Sequence, residues 1–220
     1  MTPQLIVFDF DGVLVDSEVL SNQVLASVLT ELGYPLTPAE SHRRFTGLNV
    51  RAVRQAVEGD RGRPLAPEFE AMVREQAHRR IATELRMVAG ADRLLRGLDG
   101  PRCIASNSSP VWIDLALRAT GLDAFFLPQS RFSAAQVAKG KPAPDLFIHA
   151  ATAMAVDPMA CVVIEDSVHG VRGARTAGMR VLGFTGASHI EAGHDAILRE
   201  AGVEAVFDDL TQLPDLLRRL

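Results

Sequence analysis

Short apolar runs, three of them stopped at once by polar or acidic clusters, constrain this chain more than any other feature. Leu5-Ile6-Val7-Phe8 ends in Asp9-Phe10-Asp11-Gly12, Cys103-Ile104-Ala105 in Ser106-Asn107-Ser108, and Val162-Val163-Ile164 in Glu165-Asp166-Ser167. Runs this short, without polar alternation, predict strands buried on both faces. Val181-Leu182-Gly183-Phe184 repeats the pattern, and Ala205-Val206-Phe207 is a weaker fifth. Helical patterns fall between them, at residues 111–119, 144–154, 171–177, 190–201 and 210–220. This alternation predicts an α/β fold, a Rossmann-like doubly wound parallel sheet with helices on both faces. Gly121, Gly178 and Gly202 stand where helix C-caps are expected.

One stretch breaks the alternation. From Val19 to Met87 there is no strand pattern, only helix-like segments at residues 19–32, 51–57 and 67–84, joined by Gly33-Tyr34-Pro35 and a polar loop. A crossover within a sheet usually needs one helix, so some seventy residues of helix predict a separate lid inserted after the first strand. The expected division is an α/β core of residues 1–15 and 88–220 and a helical cap domain of residues 16–87. A length of 220 residues accommodates both.

Composition narrows the partners. A net charge of −4 and no long Lys/Arg cluster argue against nucleic acid or an anionic membrane surface. No run approaches the apolar length of a membrane span, and no secretory signal opens the chain, so a cytoplasmic, monomeric protein is expected. Cys103 and Cys161, the only cysteines, lie in apolar runs and read as buried strand thiols. Six scattered histidines form no zinc-binding spacing.

Ligands of open parallel sheets bind outside the carboxyl ends of the strands, so the strand-end residues are the candidates for chemistry. Asp9 and Asp11, at i and i+2 on an extended segment, are expected to project to one side. Glu165 and Asp166 from another strand end add negative charge that invites a hard cation, best Mg²⁺, with substrate phosphate among its ligands. Lys141, in Lys139-Gly140-Lys141-Pro142, neutralises carboxylate and phosphate, and the Ser106 hydroxyl offers a phosphate contact. A carboxylate nucleophile can split phosphoryl transfer into two steps, with a second carboxylate protonating the leaving oxygen and activating water. Each element alone has a plainer reading. Asp-x-Asp-Gly forms turns, Glu-Asp-Ser and Ser-Asn-Ser-Ser-Pro open helices, and a lysine before a helix is ordinary. Their conjunction at the strand ends favours the catalytic reading.

At these residues the chain resembles the haloacid dehalogenase superfamily. Four motifs stand in family order: residues 9–18 (Asp-Phe-Asp-Gly-Val-Leu-Val-Asp-Ser-Glu), Ser106-Asn107, Gly140-Lys141-Pro142-Ala143-Pro144-Asp145, and Ile164-Glu165-Asp166-Ser167 with Gly170 and Gly173. The helical block resembles the cap of the β-phosphoglucomutase-like branch. The resemblance implies Asp9 as nucleophile and Mg²⁺ ligand. It implies Asp11 as general acid/base and a metal ligand through its backbone carbonyl. Asp166 is a direct metal ligand by the same resemblance, with Glu165 acting through a metal-bound water. Ser106 and Asn107 are implied at the phosphate, and Lys141 between nucleophile and phosphate. Gly47, Asn49, Arg43 and Arg51 belong to a cap loop that faces the active site in the family when the cap closes. The plainer reading of its arginines is a solvated helix face.

One scaffold hosts several reactions. Mutases of this branch carry a histidine five positions after the residue equivalent to Asp16 and a lysine before the cap glycine, where this chain has Ser21 and Thr46. Dehalogenases lack an equivalent of Asp11. The string Arg43-Arg44-Phe45-Thr46-Gly47-Leu48-Asn49 is closer to sugar-phosphate phosphatases, including those acting on 6-phosphogluconate. The expectation is a Mg²⁺-dependent phosphatase of small phosphorylated metabolites, with a β-phosphoglucomutase-like phosphomutase as the alternative. A non-catalytic sensor is disfavoured, because Asp9, Asp11, Lys141 and Asp166 are all present.

Overall fold

The computed structural model describes residues 3–45 and 48–220. The strands are β1 (Leu5–Phe8), β2 (Arg102–Ser106), β3 (Arg131–Ser133), β4 (Cys161–Glu165), β5 (Arg180–Phe184) and β6 (Ala205–Phe207). They pair in parallel, in the order β3-β2-β1-β4-β5-β6. The helices are α1 (Ser17–Glu31), α2 (Pro38–Phe45), α3 (Val50–Arg61), α4 (Phe69–Glu84), α5 (Ala91–Gly97), α6 (Pro110–Thr120), α7 (Asp145–Ala153), α8 (Val168–Thr176), α9 (His194–Ala201) and α10 (Leu213–Arg219). The fold is the expected Rossmann-like α/β sheet.

The chain divides into two compact units. Met1–Asp16 together with Arg86–Leu220 holds the sheet, and Ser17–Leu85 holds α1 to α4. In the sheet unit every residue of β1 and β4 is buried, which is why those strands read as unbroken apolar runs. Phe147, Ala150 and Ala151 of α7 and Val171 and Ala174 of α8 join β1, β2, β4 and β5 in one apolar cluster. Each such fully buried Phe or Val contributes about 1.5–3 kcal/mol. Cys103 and Cys161 are buried free thiols within it. Burial pushes both thiols above their ordinary range, Cys161 to about 11.

In the helical unit, α1 packs on α2 and α4. A buried hydrogen bond of 2.8 Å from Ser41 Oγ to Asn22 Oδ1 ties α2 to α1. Arg54 of α3 reaches Glu58 and Glu70 and the carbonyls of Ala66 and Pro67, fixing the start of α4.

Several elements depart from expectation. β3 carries only Phe132 as an apolar residue, and Arg131 reaches sideways to Asp114 at 2.7 Å, so no apolar run marks this edge strand. α2 opens on a capping box, with Thr37 N–H donating to Glu40 Oε2 at 2.8 Å and Glu40 N–H to Thr37 Oγ1 at 3.2 Å. Thr37-Pro38-Ala39-Glu40 was the legible signal for it. The helix expected from residue 190 begins instead at His194, because Gly193 in the left-handed region (φ 89°) sets its start. The terminal pattern splits into a 3₁₀ turn at Leu210–Gln212 followed by α10.

Gly121 and Gly202 do cap α6 and α9 in the left-handed conformation. Gly178, one residue beyond the Ala177 C-cap of α8, also has positive φ. Among the described residues no helix is long and apolar enough to cross a membrane.

Candidate active site

The strand order places a switch point between β1 and β4, since the chain leaves β1 toward β2 and β3 and then returns to β4 on its other side. Crevices at such points bind ligands at the carboxyl edge. Phe8 pairs with Ile164, and Asp9 N–H donates to Ile164 O at 2.9 Å, so Asp9 and Glu165 emerge side by side. Asp166 follows directly. Ligand oxygens of Asp9, Glu165 and Asp166 lie within 4.8 Å of one another, and all three residues are buried.

Lys141 Nζ bridges two of these carboxylates, at 2.7 Å from Asp9 Oδ1 and 2.7 Å from Glu165 Oε2. Its ammonium also lies 5.2 Å from the centre of the Phe147 ring. Asn107 fixes the lysine from behind. The carboxamide oxygen accepts Lys141 N–H at 2.9 Å and the carboxamide nitrogen donates to Lys141 O at 3.1 Å. The preceding Gly140 is what permits this approach, as a Cβ there would sit 2.5 Å from Asn107 Oδ1. The carboxamide expected at the phosphate is thus committed to the lysine backbone.

Glu165 uses both oxygens within the protein. Oε2 holds Lys141, while Oε1 accepts from Ser167 N–H at 3.2 Å and Ser167 O–H at 2.7 Å. Ser167 Oγ in turn caps α8 by accepting Gly170 N–H at 3.0 Å, an arrangement worth about 1 kcal/mol. Gly170 is required there because a Cβ would lie 2.0 Å from Glu165 Cδ.

Asp166 is flanked by two histidines, His189 from the segment between β5 and α9 and His194 at the start of α9. His189 Nε2 lies 3.3 Å from Asp166 Oδ2, and His194 Nε2 is 2.6 Å from the Asp166 carbonyl oxygen. Gly12, with φ of 85°, runs against the same side chain, where a Cβ would be 1.9 Å from Asp166 Oδ2.

Asp11 departs from the expectation that its side chain joins that of Asp9. Among the described residues the converging set comprises Asp9, Glu165 and Asp166. The Asp11 carboxylate turns to β2 and α6, accepting from Ser106 Oγ at 3.2 Å, Ser108 Oγ at 2.6 Å and Trp112 Nε1 at 3.0 Å. The physical reason is the supply of donors: Oδ1 and Oδ2 both find N–H or O–H groups there, whereas the Asp9 side already holds an excess of carboxylates.

That excess governs the electrostatics. Burial lifts the Asp9 carboxyl well above its ordinary range and the Glu165 charge adds to this, with Lys141 opposing. Asp166 is raised as well, chiefly by burial, with the His189 contact opposing. For Lys141 burial acts downward, but the Asp9 and Glu165 charges outweigh it and hold the ammonium well above its usual value. Three buried carboxylates against one buried ammonium leave negative charge that a divalent cation would neutralise. Hard oxygen donors in a converging set fit Mg²⁺.

The residues expected in a cap loop fall in the helical unit. Arg43, in α2, and Arg51, in α3, are exposed, and the Asn49 side chain caps α3 by accepting Ala52 N–H at 2.9 Å. Arg44 pairs with Asp60 and donates to Tyr34 Oη at 2.6 Å. Gly47 and Thr46 lie outside the described residues. Ser108, Trp112, His189 and His194 were missed by sequence reasoning. Ser108 sat two residues past Ser106 at a strand end and could have been included; the other three carry no local signal.

The family model described as haloacid dehalogenase-like hydrolase matches residues 3–178. The 6-phosphogluconate phosphatase of Escherichia coli (strain K12) is 32% identical over 215 residues, covering 97% of this chain and 94% of that protein. A conserved haloacid dehalogenase-like protein of unknown function from Agrobacterium tumefaciens str. C58 superposes with a TM-score of 0.86 at 40% identity, covering 98% of each chain. A haloacid dehalogenase family hydrolase from Deinococcus radiodurans R1, solved with phosphate and sodium bound, gives 0.83 at 31% identity, covering 99% of this chain and 96% of that one.

Proposed function

The chain belongs to the haloacid dehalogenase-like hydrolases and is a phosphoric monoester hydrolase; we propose that it uses Mg²⁺ to dephosphorylate small sugar or sugar-acid phosphates through an aspartyl-phosphate on Asp9. The observation that carries this reading is the Lys141 ammonium, 2.7 Å from both Asp9 and Glu165, inside the set that Asp166 completes.

In this reading Asp9 and Asp166 would hold the metal with the backbone carbonyl of Asp11, and Glu165 would act through water. The metal supplies charge neutralisation, which lets an anionic phosphate approach an anionic nucleophile. Lys141 holds Asp9 ionised and oriented, and supplies positive charge to the transferring phosphoryl group. An Asp9 oxygen attacks phosphorus, the bond from phosphorus to the leaving oxygen breaks, and Asp11 gives that oxygen a proton. Asp11, now a carboxylate, then takes a proton from water as the water oxygen attacks phosphorus, releasing phosphate and restoring Asp9. Ser106 contacts the phosphate. Asn107 serves the phosphate site by fixing the lysine that faces it. The helical unit is the cap domain in this reading, and Arg43, Asn49, Arg51 and Gly47 carry its selectivity among leaving groups.

The test is phosphate release from a panel of sugar and sugar-acid phosphates, with every organic product identified. Phosphate release is expected to fall by about a hundredfold or more when Mg²⁺ is chelated, since the metal's charge stabilisation is worth several kcal/mol. Adding Mg²⁺ back is expected to restore the rate and raise the thermal midpoint, because the ion binds the folded charge cluster alone. Metal-independent release would contradict the reading. Isomerised phosphosugar without net phosphate would make the enzyme a mutase despite Ser21 and Thr46.

A further inference from the structure

Trp112 is the only tryptophan of the chain, and it stands in the first turn of α6. Ser109 and Pro110 fix that turn, with Ser109 Oγ accepting Trp112 N–H at 3.2 Å. From there the indole crosses to β1's exit and donates Nε1–H to Asp11 Oδ1 at 3.0 Å. The other oxygen, Oδ2, faces the hydroxyls of Ser108 and Ser106 at 2.6 and 3.2 Å. Ser108 is itself held, its carbonyl accepting Ser133 Oγ–H at 2.6 Å and its N–H donating to Ser106 Oγ at 3.0 Å.

These donors are not equivalent. An indole N–H can only donate, whereas a hydroxyl can rotate to donate or accept. An oxygen that accepts from the indole is therefore pinned as an acceptor, while one facing hydroxyls can carry a proton without losing its partners. We propose that Trp112 is the positioning residue of the acid/base: it pins Asp11 Oδ1, fixes the plane of the carboxyl group, and makes Oδ2 the oxygen that exchanges protons with the leaving group and with water. The inference rests on the phosphatase reading. When the bond from phosphorus to the leaving oxygen breaks, its electron pair stays on that oxygen, which takes the proton from Oδ2. Asp11 is left as a carboxylate with the indole already donating to it.

The consequence is a dependence on the leaving group. An alkoxide leaving from a sugar phosphate needs the proton, whereas p-nitrophenolate leaves without one. The experiment measures kcat/KM of the wild type and Trp112→Phe on p-nitrophenyl phosphate and on the sugar phosphate that the wild type turns over fastest. General acid assistance is worth about 10²–10⁴-fold, and mispositioning is expected to forfeit about tenfold of it. The variant should lose about ten times more on the sugar phosphate than on the aryl ester. A misfolded fraction lowers both substrates equally, so the ratio of losses is immune to it. Equal losses on the two esters would overturn the inference while leaving the phosphatase reading standing. A wild type that releases phosphate from neither ester would overturn both. Independently of turnover, Asp11→Ala should change the fluorescence of the metal-free protein, because Trp112 is its only tryptophan; unchanged emission would refute the contact.

Discussion

Asp9→Asn is expected to lower phosphate release by about 10⁴-fold or more while the variant keeps its secondary structure and its cooperative unfolding. The loss is this large because removing a residue at the centre of a covalent mechanism removes the whole covalent route, not one hydrogen bond among several. The fold survives because Asn preserves the shape of the side chain at the end of β1, and Lys141 keeps its second partner, Glu165 Oε2 at 2.7 Å. The substitution also removes a buried charge that its surroundings tolerate poorly, as burial and the Glu165 charge already raise the Asp9 carboxyl well above its ordinary range. Steady-state kinetics beside circular dichroism and thermal unfolding checks it. Activity within tenfold of the wild type would remove Asp9 from the nucleophile's role.

Lys141→Ala has the largest expected effect on stability. Lys141 is 9% exposed, and its ammonium touches Asp9 and Glu165, which are 8% and 0% exposed. Removing one partner of a buried ion pair leaves charge without compensation and costs about 3–5 kcal/mol. In a chain of this length that lowers the thermal midpoint by about 10 °C. The pH dependence has a definite sign. Asp9 already has a folded-state pKa above its unfolded value, and loss of the lysine, which opposes the rise, lifts it further. The folded state then binds protons more tightly than the unfolded chain, so stability recovers as pH falls through the raised folded value. The deficit relative to wild type should therefore be largest near neutral pH and shrink in mild acid. Unfolding midpoints for both proteins at a series of pH values, without metal, measure it. A deficit independent of pH would mean that the lysine acts by packing alone.

The sheet was legible wherever burial on both faces forced an unbroken apolar run, as in β1, β2, β4 and β5, while β6, with only Phe207 buried, showed as the weaker apolar run Ala205-Val206-Phe207. β3 was not, because Arg131 and Ser133 spend their side chains on Asp114 and on Ser108 and Ala135. Residues that chemistry needs at strand ends were legible for the same reason as the strands. The rule that ligands gather at the carboxyl edge points to Asp9, Glu165 and Asp166, and the structure brings their ligand oxygens together. Spacing failed for Asp11, since i and i+2 converge only if the backbone stays extended, and β1 ends at Phe8.

What stayed hidden belongs to tertiary placement. Trp112 reaches Asp11 from a helix 101 positions away in the chain, and His189 reaches Asp166 from a segment whose course depends on where Gly193 lets α9 begin. No local pattern encodes either meeting. Asn107 illustrates the converse. Its position after a strand marked it as functional, but only the structure shows that its carboxamide is spent on the Lys141 backbone.

The central claim is that Asp9 becomes phosphorylated, and trapping that species tests it most directly. The enzyme is mixed with Mg²⁺ and its fastest substrate, quenched in acid during turnover, reduced with borohydride, and digested for mass spectrometry. The account predicts reduction of the acyl-phosphate at position 9, converting Asp9 to homoserine, and no such product in the Asp9→Asn variant. Turnover with Asp9 left unmodified in every quenched sample, or the label on another residue, would contradict it.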